Sequence, residues 1–171
     1  TLFDHDGDGC HDLQEDDDDD NDQIPDSDDL CPVGMTLWFS EPASDYDSDG
    51  CHDVAEDLDI DNDGVLDETD LCPRGMLGWT STPLNDWDSD GCQDSGEDTD
   101  DDNDSITDDS DDCQTGDLGW TSSSTTDHDT DGCRDDGSED IDDDNDSMAD
   151  ASDDCQTGDL GWASSSTTDY D

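Results

Sequence analysis

Apolar side chains are sparse along this chain and show no helical period over any useful length. The regular pattern is acidic instead: Asp recurs at every second position in short runs, and spacers rich in Gly, Pro, Ser and Thr separate the runs. Such spacers favour turns and extended chain over helices and strands. We expect at most one helical turn, around Val54 to Leu58, because short isolated helices are unstable and this one carries repelling charges.

Two acidic loops in tandem, at 45–56 and 59–70, show the pattern most clearly. They read DYDSDGCHDVAE and DIDNDGVLDETD, with an acid at positions 1, 3, 5, 9 and 12 and Gly at position 6. A Ca²⁺ ion takes about six to eight oxygen ligands, and Gly permits the sharp turn that gathers them. The pattern therefore predicts a Ca²⁺-binding loop at both places.

This pair of loops recurs along the chain with a period of 41 residues, and the fourth copy carries one extra residue near Gly137. A fixed period of this length is typical of a linear tandem array in which each repeat contacts its neighbours. The predicted repeats are 4–44, 45–85, 86–126 and 127–168, with 1–3 as the end of a preceding repeat and 169–171 as the start of a fifth.

The predicted metal ligands are the acids at these recurring loop positions. In the first loops they are Asp4, Asp6, Asp8, Asp12, Glu15, Asp45, Asp47, Asp49, Asp53, Glu56, Asp86, Asp88, Asp90, Asp94, Glu97, Asp127, Asp129, Asp131, Asp135 and Glu139, and in the fifth repeat Asp169 and Asp171. In the second loops they are Asp18, Asp20, Asp22, Asp26, Asp29, Asp59, Asp61, Asp63, Asp67, Asp70, Asp100, Asp102, Asp104, Asp108, Asp111, Asp142, Asp144, Asp146, Asp150 and Asp153.

One position of the second loops departs from the ideal pattern. Position 6 is Gln23, Gly64, Ser105 or Ser147. Because only Gly adopts a positive φ without steric cost, we expect strain or another turn type in the three copies that lack it.

The charge balance makes cations a requirement of any ordered state. The chain of 171 residues has 59 acidic and 2 basic residues, a formal charge of −57, and only 25% hydrophobic residues. Without metal such a chain is expected to be a disordered polyanion. We therefore predict a mostly irregular fold, a linear array of Ca²⁺ loops with disulfides, little regular secondary structure and no central hydrophobic core.

A single Ca²⁺ per loop would leave most of that charge uncompensated, so we expect multiple ions, at least one per loop and more on average. Four further acids follow the loop-ending Glu directly and are expected to bridge toward a second ion. These are Asp16, Asp57, Asp98 and Asp140.

Cysteine usage points to an oxidising compartment. Eight cysteines stand 20 to 22 residues apart, and none forms the close CxxC pair that zinc sites use. An even count in a core-poor chain predicts disulfides and an extracellular or cell-surface location. The sequence has no apolar run long enough for a membrane span, and with 2 basic residues we expect no nucleic-acid partner.

The segment from Asp59 to Pro73, DIDNDGVLDETDLCP, resembles the thrombospondin type 3 repeat pattern DxDxDGxxDxxDxCP. This resemblance covers all four repeats and implies calcium-binding, disulfide-stapled, mostly irregular modules of extracellular proteins. The chain differs from the family in its position-7 cysteine, in its GWTS-type spacer and in the loss of Pro after Cys113 and Cys155.

Two disulfide patterns remain open. The family-like spacing favours Cys31 with Cys51 and its equivalents, Cys72 with Cys92 and Cys113 with Cys133, which leaves Cys10 and Cys155 to pair elsewhere. The alternative joins Cys10 with Cys31 and so on down the chain, closing each repeat on itself.

The closest competing fold is the EF-hand, whose loop DYDSDGCHDVAE also matches. That motif needs an amphipathic helix on each side, whereas the flanking segments here are acidic or rich in Ser. We therefore disfavour it.

Aromatic residues recur at two places in each repeat. Trp38, Trp79, Trp120 and Trp162 share one register, and position 2 of the first loop is His5, Tyr46, Trp87, His128 or Tyr170. The simplest interpretation is a small packing cluster in each repeat, and stacking on a sugar is the alternative. We do not expect the histidines to be ligands, because Ca²⁺ prefers oxygen.

Two kinds of glycosylation are open to the spacers and loops. Ser122 to Thr126 and Ser164 to Thr168 are hydroxyl-rich runs that suit either a flexible connector or O-glycans. Asn103 and Asn145 lie in NDS sequons at position 4 of a second loop, where we expect the side chain to point outward.

No catalytic arrangement stands apart from the repeats, so we expect no enzyme activity. The sequence favours a structural spacer, stalk or filament that contacts neighbouring repeats of its own or identical chains. An adhesion or carbohydrate-binding module using the Trp row and an acidic calcium-buffering or mineral-binding polyanion are the alternatives.

Overall fold

The protein is described here by a computed structural model, in which residues 3–168 form turns, bends and irregular chain without any α-helix or β-strand. The predicted coil-dominated fold is therefore confirmed. The expected helical turn begins earlier than predicted: the His52 carbonyl accepts hydrogen bonds from the N–H groups of Ala55 and Glu56 at 2.9 and 3.0 Å, and the turn then ends. Within residues 3–168 no helix could cross a membrane.

The chain divides into two compact units. One comprises Thr1–Thr82 with Ser89–Gln93, and the other comprises Pro83–Asp88 with Asp94–Asp171. Acidic loops of the same local form occur in both. The boundaries of the four repeats, the linear arrangement and the absence of a central core stay predictions, and the ligands expected at Asp169 and Asp171 lie outside the described residues.

One hydrogen bond closes every acidic loop. The N–H at position 9 donates to the carbonyl that precedes position 1, as from Asp53 to Ser44 and from Asp67 to Leu58, both at 2.9 Å. The equivalent donors in the other six loops are Asp12, Asp26, Asp94, Asp108, Asp135 and Asp150. A shared closing bond explains why sequences of different composition form one kind of loop.

Positive φ angles at positions 4 and 6 complete the loop. Gly50 and Gly64 have φ of 89° and 97°, and Gln23, Ser105 and Ser147 adopt 84°, 83° and 78° at the same position. The loops that lack Gly thus keep the turn rather than change its type. Such angles strain a residue with a Cβ. Of the two outcomes that we expected, strain or another turn type, the structure therefore shows strain.

Three disulfides join the end of a second loop to the next first loop. They are Cys31–Cys51, Cys72–Cys92 and Cys113–Cys133, with Cα atoms 5.1 to 5.2 Å apart. This confirms the first of the two predicted patterns. Cys10 and Cys155 are unpaired within the described residues.

One cysteine of each disulfide has a buried side chain. Among residues 3–168, the buried apolar side chains are Cys51, Cys92 and Cys133, each with 6% of its surface exposed. Beside the first disulfide, the Leu30 N–H donates to the Asp49 carbonyl at 2.7 Å. The disulfide and this backbone hydrogen bond hold the end of one loop in contact with the next loop.

Candidate metal centres

The acids at positions 1, 3 and 5 converge within single loops. One carboxylate oxygen from each residue lies within 4.8 Å of the others in groups such as Asp4 with Asp6 and Asp8, Asp18 with Asp20 and Asp22, and Asp45 with Asp47 and Asp49. These clusters could hold a metal ion. Carboxylate oxygens are ligands that hard divalent cations prefer.

The loop backbone orients each carboxylate by using one of its oxygens. At position 5, Asp49 Oδ1 accepts the Cys51 N–H at 2.8 Å, and Asp22 Oδ1 accepts the Ile24 N–H at 2.7 Å. At position 9, Asp53 Oδ1 accepts the Tyr46 N–H at 3.0 Å. The second oxygens differ in their partners: Asp49 Oδ2 accepts the Asn62 side-chain amide at 2.9 Å, whereas Asp22 Oδ2 is buried and has no hydrogen-bond partner.

The buried charge of this protein is entirely carboxylate. Every buried polar or charged side chain among residues 3–168 is an aspartate, and Asp20, Asp22 and Asp45 have no exposed surface. Burial raises the pKa of Asp22 to about 6 and that of Asp29 to about 7. A buried carboxylate is costly without a counter-ion and the chain has only 2 basic residues, so these clusters could hold cations from solution.

The structure also brings carboxylates of successive repeats together. A Cβ built on Gly34 would lie 2.9 Å from both Asp20 Oδ2 and Glu56 Oε2, so these two oxygens flank one glycine. The Gly34 N–H donates to Asp20 Oδ2 at 3.0 Å. Glu56, predicted as a ligand of its own first loop, thus lies beside the second loop of the preceding repeat, which the loop pattern did not predict.

Asp16, expected to bridge between ions, belongs to two clusters. Its carboxylate lies within 4.8 Å of ligand atoms of Asp8 and Cys10 in one group and of Asp12 and Asp19 in the other. Asp19, at position 2 of the second loop, was absent from the predicted ligands. A signal was present in the sequence, because Asp101 and Asp143 occupy the same position in repeats 3 and 4.

The ring at position 2 of each first loop has a structural role that sequence reasoning missed. The Tyr46 hydroxyl donates to the Gly75 carbonyl at 2.9 Å, and the Trp87 indole N–H donates to the Gly116 carbonyl at 3.0 Å. His5 Nε2 lies 2.8 Å from the Gly34 carbonyl, and the equivalent His128 contact is to Gly158 at 2.9 Å. His, Tyr and Trp share one property here, a donor at the rim of the ring.

The Trp row is partly packed. Trp38 meets His52 edge to face with ring centroids 4.8 Å apart, which supports the packing interpretation for this residue. The indole N–H groups of Trp38, Trp79 and Trp120 are buried without a hydrogen-bond partner, whereas Trp162 is 38% exposed. Stacking on a sugar stays a prediction.

The glycosylation candidates take part in the hydrogen bonding of the loops. Asn103 and Asn145 are exposed, and their side-chain amides donate to Asp88 and Asp129 of the preceding loop. Addition of a glycan at either amide would compete with this contact. The Ser122 hydroxyl donates to Asp127, position 1 of the following loop.

Neither a scan against protein-family models nor a search of curated proteins gives a match for this chain. The resemblance to thrombospondin type 3 repeats therefore rests on the loop pattern and stays a prediction. What can be said of function comes from the loops themselves.

Proposed function

We propose that this protein is a non-catalytic, extracellular structural element, a spacer, stalk or filament segment that Ca²⁺ ions and disulfides hold in an ordered form. The observation that carries the proposal is the burial of aspartates facing one another with only 2 basic residues in the chain. Metal binding would then supply folding free energy that a hydrophobic core usually supplies.

Ca²⁺ is the ion that best suits these clusters. The loops offer many oxygens from several carboxylates at once, and Ca²⁺ accepts six to eight oxygen ligands, roughly, in flexible geometry. Mg²⁺ requires a near-ideal octahedron and keeps several waters, which a dense carboxylate cluster does not favour. Zinc sites use nitrogen and sulfur ligands, and the disulfides occupy most of the sulfur here.

The disulfides support the extracellular location, because such bonds form and persist in oxidising compartments. Each of the three bonds ties together segments with a sequence separation of 20 residues. Ca²⁺ in the loops and disulfides between them would act on different parts of the chain, so both contribute to stiffness.

The test is small-angle scattering and circular dichroism of the oxidised chain during a Ca²⁺ titration, followed by a chelator. We expect a reversible change from an expanded coil to a compact or rod-like form, with Mg²⁺ much less effective. A parallel titration of the reduced chain separates the contribution of the disulfides. A chain that stays expanded through millimolar Ca²⁺ would rule the proposal out.

A further inference from the structure

A second type of carboxylate cluster lies where the first loop of a repeat meets its second loop. In repeat 1, ligand atoms of Asp12, Asp16 and Asp19 lie within 4.8 Å of one another. Asp26 interacts electrostatically with Asp19 and completes the group. We call these four residues and their equivalents the junction cluster; it is distinct from the acids at positions 1, 3 and 5.

The backbone leaves one oxygen of each carboxylate available in this cluster. Asp12 Oδ1 accepts the His5 N–H at 3.2 Å, and Asp26 Oδ1 accepts the Asp19 N–H at 2.8 Å. The remaining two members have buried oxygens without a hydrogen-bond partner, Asp16 Oδ2 and Asp19 Oδ1. The cluster thus gathers acceptor oxygens, and two of its buried oxygens have no donor.

Repeat 4 buries the same cluster most deeply. Asp140 and Asp143 are only 8% and 7% exposed, and Asp140 Oδ2 and Asp143 Oδ1 have no hydrogen-bond partner. Asp143 interacts electrostatically with Asp150, Asp135 and Asp140, and the equivalents of these residues interact with Asp19 in the same way. A carboxylate oxygen without a hydrogen-bond partner, on a side chain more than nine-tenths buried and interacting with three other carboxylates, favours a cation at this place.

Repeat 3 has the same four carboxylates at equivalent positions. Asp101 interacts with Asp94, Asp98 and Asp108, and its Oδ1 is buried without a partner. Three of the four repeats therefore contain the complete junction cluster.

Repeat 2 is the exception, and it carries its own cation. Position 2 of its second loop is Ile60 instead of Asp, which leaves three carboxylates, Asp53, Asp57 and Asp67. The Arg74 guanidinium binds Asp53, whose side chain is fully buried, and stacks over the Tyr46 ring with 5.5 Å to its centroid. The residues equivalent to Arg74 in the other repeats, Val33, Thr115 and Thr157, carry no charge.

We propose that the junction clusters of repeats 1, 3 and 4 each bind a Ca²⁺ ion and that Arg74 replaces this ion in repeat 2. The charges agree: four carboxylates with a divalent cation and three carboxylates with a guanidinium both leave two negative charges. The inference rests on the proposed function, since it extends Ca²⁺ binding to residues outside the loop pattern. It also predicts that the repeats differ in the number of ions they hold.

The test exchanges, in the full oxidised chain, the four-carboxylate cluster of repeat 4 and the three-carboxylate cluster with Arg of repeat 2. Ile60→Asp with Arg74→Thr builds the four-carboxylate cluster in repeat 2, and Asp143→Ile with Thr157→Arg gives repeat 4 the arrangement of repeat 2. Bound Ca²⁺ per chain is measured by equilibrium dialysis and atomic emission at saturating Ca²⁺. We expect the first variant to bind one ion more than the wild type and the second to bind one ion fewer.

Matched controls isolate the fourth carboxylate. Leu84→Asp with Arg74→Thr makes the same charge change, but its new acid lies at a position that is 95% exposed. Asp109→Ile removes an exposed acid at position 10 of a second loop. Both controls should bind as many ions as the wild type, and an ion gained by the first control would contradict the assignment. Intact disulfides, checked by mass after thiol alkylation, confirm that each variant is oxidised like the wild type, and its circular dichroism spectrum at saturating Ca²⁺ is compared with that of the wild type.

The outcomes separate this inference from the proposed function. If the wild type binds Ca²⁺ but the gain variant binds no additional ion, the junction site is wrong while the structural function stands. The gain variant decides the question even if the loss variant fails to fold, because it adds a ligand without removing one. If the wild type binds no Ca²⁺, both proposals fail.

Discussion

Gly50 in a first loop and Gly64 in a second loop have similar backbone angles but different surroundings. A Cβ on Gly50 would lie 2.1 Å from Asp29 Oδ1, whereas one on Gly64 would meet only a Thr80 methyl group at 3.7 Å. Gly91 and Gly132 have the same close neighbour as Gly50, an aspartate at position 12 of the preceding second loop. In these first loops Gly is needed for packing between repeats, while in second loops it only relieves backbone strain.

This difference in packing explains which residues occupy position 6 in first loops and in second loops. Gln23, Ser105 and Ser147 occupy position 6 of second loops at positive φ, and all three residues are exposed. The first loops have Gly at this position in all four copies. Identical loop geometry therefore places different demands on one residue, depending on what the disulfide holds against it.

The largest effect on stability is expected from loss of the Cys31–Cys51 disulfide, which joins the segments that carry Asp29 and Gly50. Replacement of Cys31 and Cys51 together by Ser should lower the free energy of unfolding by about 3 kcal/mol, because the unfolded chain is no longer cross-linked. Urea unfolding at saturating Ca²⁺ measures the loss. Cys155→Ser is the control, since this cysteine is exposed and unpaired in the structure, and it should leave the stability unchanged. A loss below about 0.5 kcal/mol would mean that Ca²⁺ alone holds the two loops together.

A loss of stability no larger than this is expected from Cβ atoms at the two glycines. Gly50→Ala should cost about 3 kcal/mol, because the methyl group overlaps Asp29 in addition to straining the backbone. Gly64→Ala should cost only the backbone strain, about 1 to 2 kcal/mol. The same urea measurement compares them. Equal losses would contradict the distinction between first and second loops.

The hydrogen bond from the ring at position 2 to a glycine carbonyl also distinguishes first loops from second loops, because second loops have Asp or Ile at position 2. Tyr46→Phe removes the donor to the Gly75 carbonyl and should cost about 1 kcal/mol. Tyr46→His is the matched rescue, because His5 and His128 make the equivalent contact. Thermal unfolding at saturating Ca²⁺ should rank the wild type and Tyr46→His above Tyr46→Phe; equal stability of Phe and His variants would show that only ring packing matters.

The smallest effect is a gain in stability. Ser147→Gly should raise the free energy of unfolding by about 0.5 kcal/mol, because Gly adopts the positive φ of this position without strain. Ser124→Gly, in an exposed spacer, should not stabilise the protein. The two variants are compared by urea unfolding, and a loss of stability in Ser147→Gly would show that the Ser side chain contributes more than its backbone strain costs.

Much of the local structure was predictable from residue spacing. Alternating acids with positive-φ residues at positions 4 and 6 specify one loop, and the closing bond at position 9 occurs wherever that spacing occurs. Asp16 was expected between two ions because it follows a complete loop. The coil-dominated fold followed from the shortage of apolar residues and the lack of periodicity.

Other features depend on residues that are distant in the sequence. The overlap of Asp29 with Gly50 and the position of Glu56 beside Asp20 depend on which cysteines pair, and spacing alone left two patterns open. The junction cluster was missed because Asp19 lies at a loop position that is not a ligand in the usual pattern. The cation proposed for this cluster is inferred in part from Arg74, which is 21 residues from Asp53 in the sequence and binds it in the fold.

The sequence by itself determined the eight acidic loops and predicted a requirement for cations, because both depend on charge and on spacing within about a dozen residues. Only the tertiary structure decided which carboxylates face one another, since the disulfides and the paths of the spacers bring separate loops into contact. Coulomb interactions depend steeply on distance and burial. For that reason the composition predicts that this protein binds cations, but only the fold indicates that repeat 2 supplies one of its own.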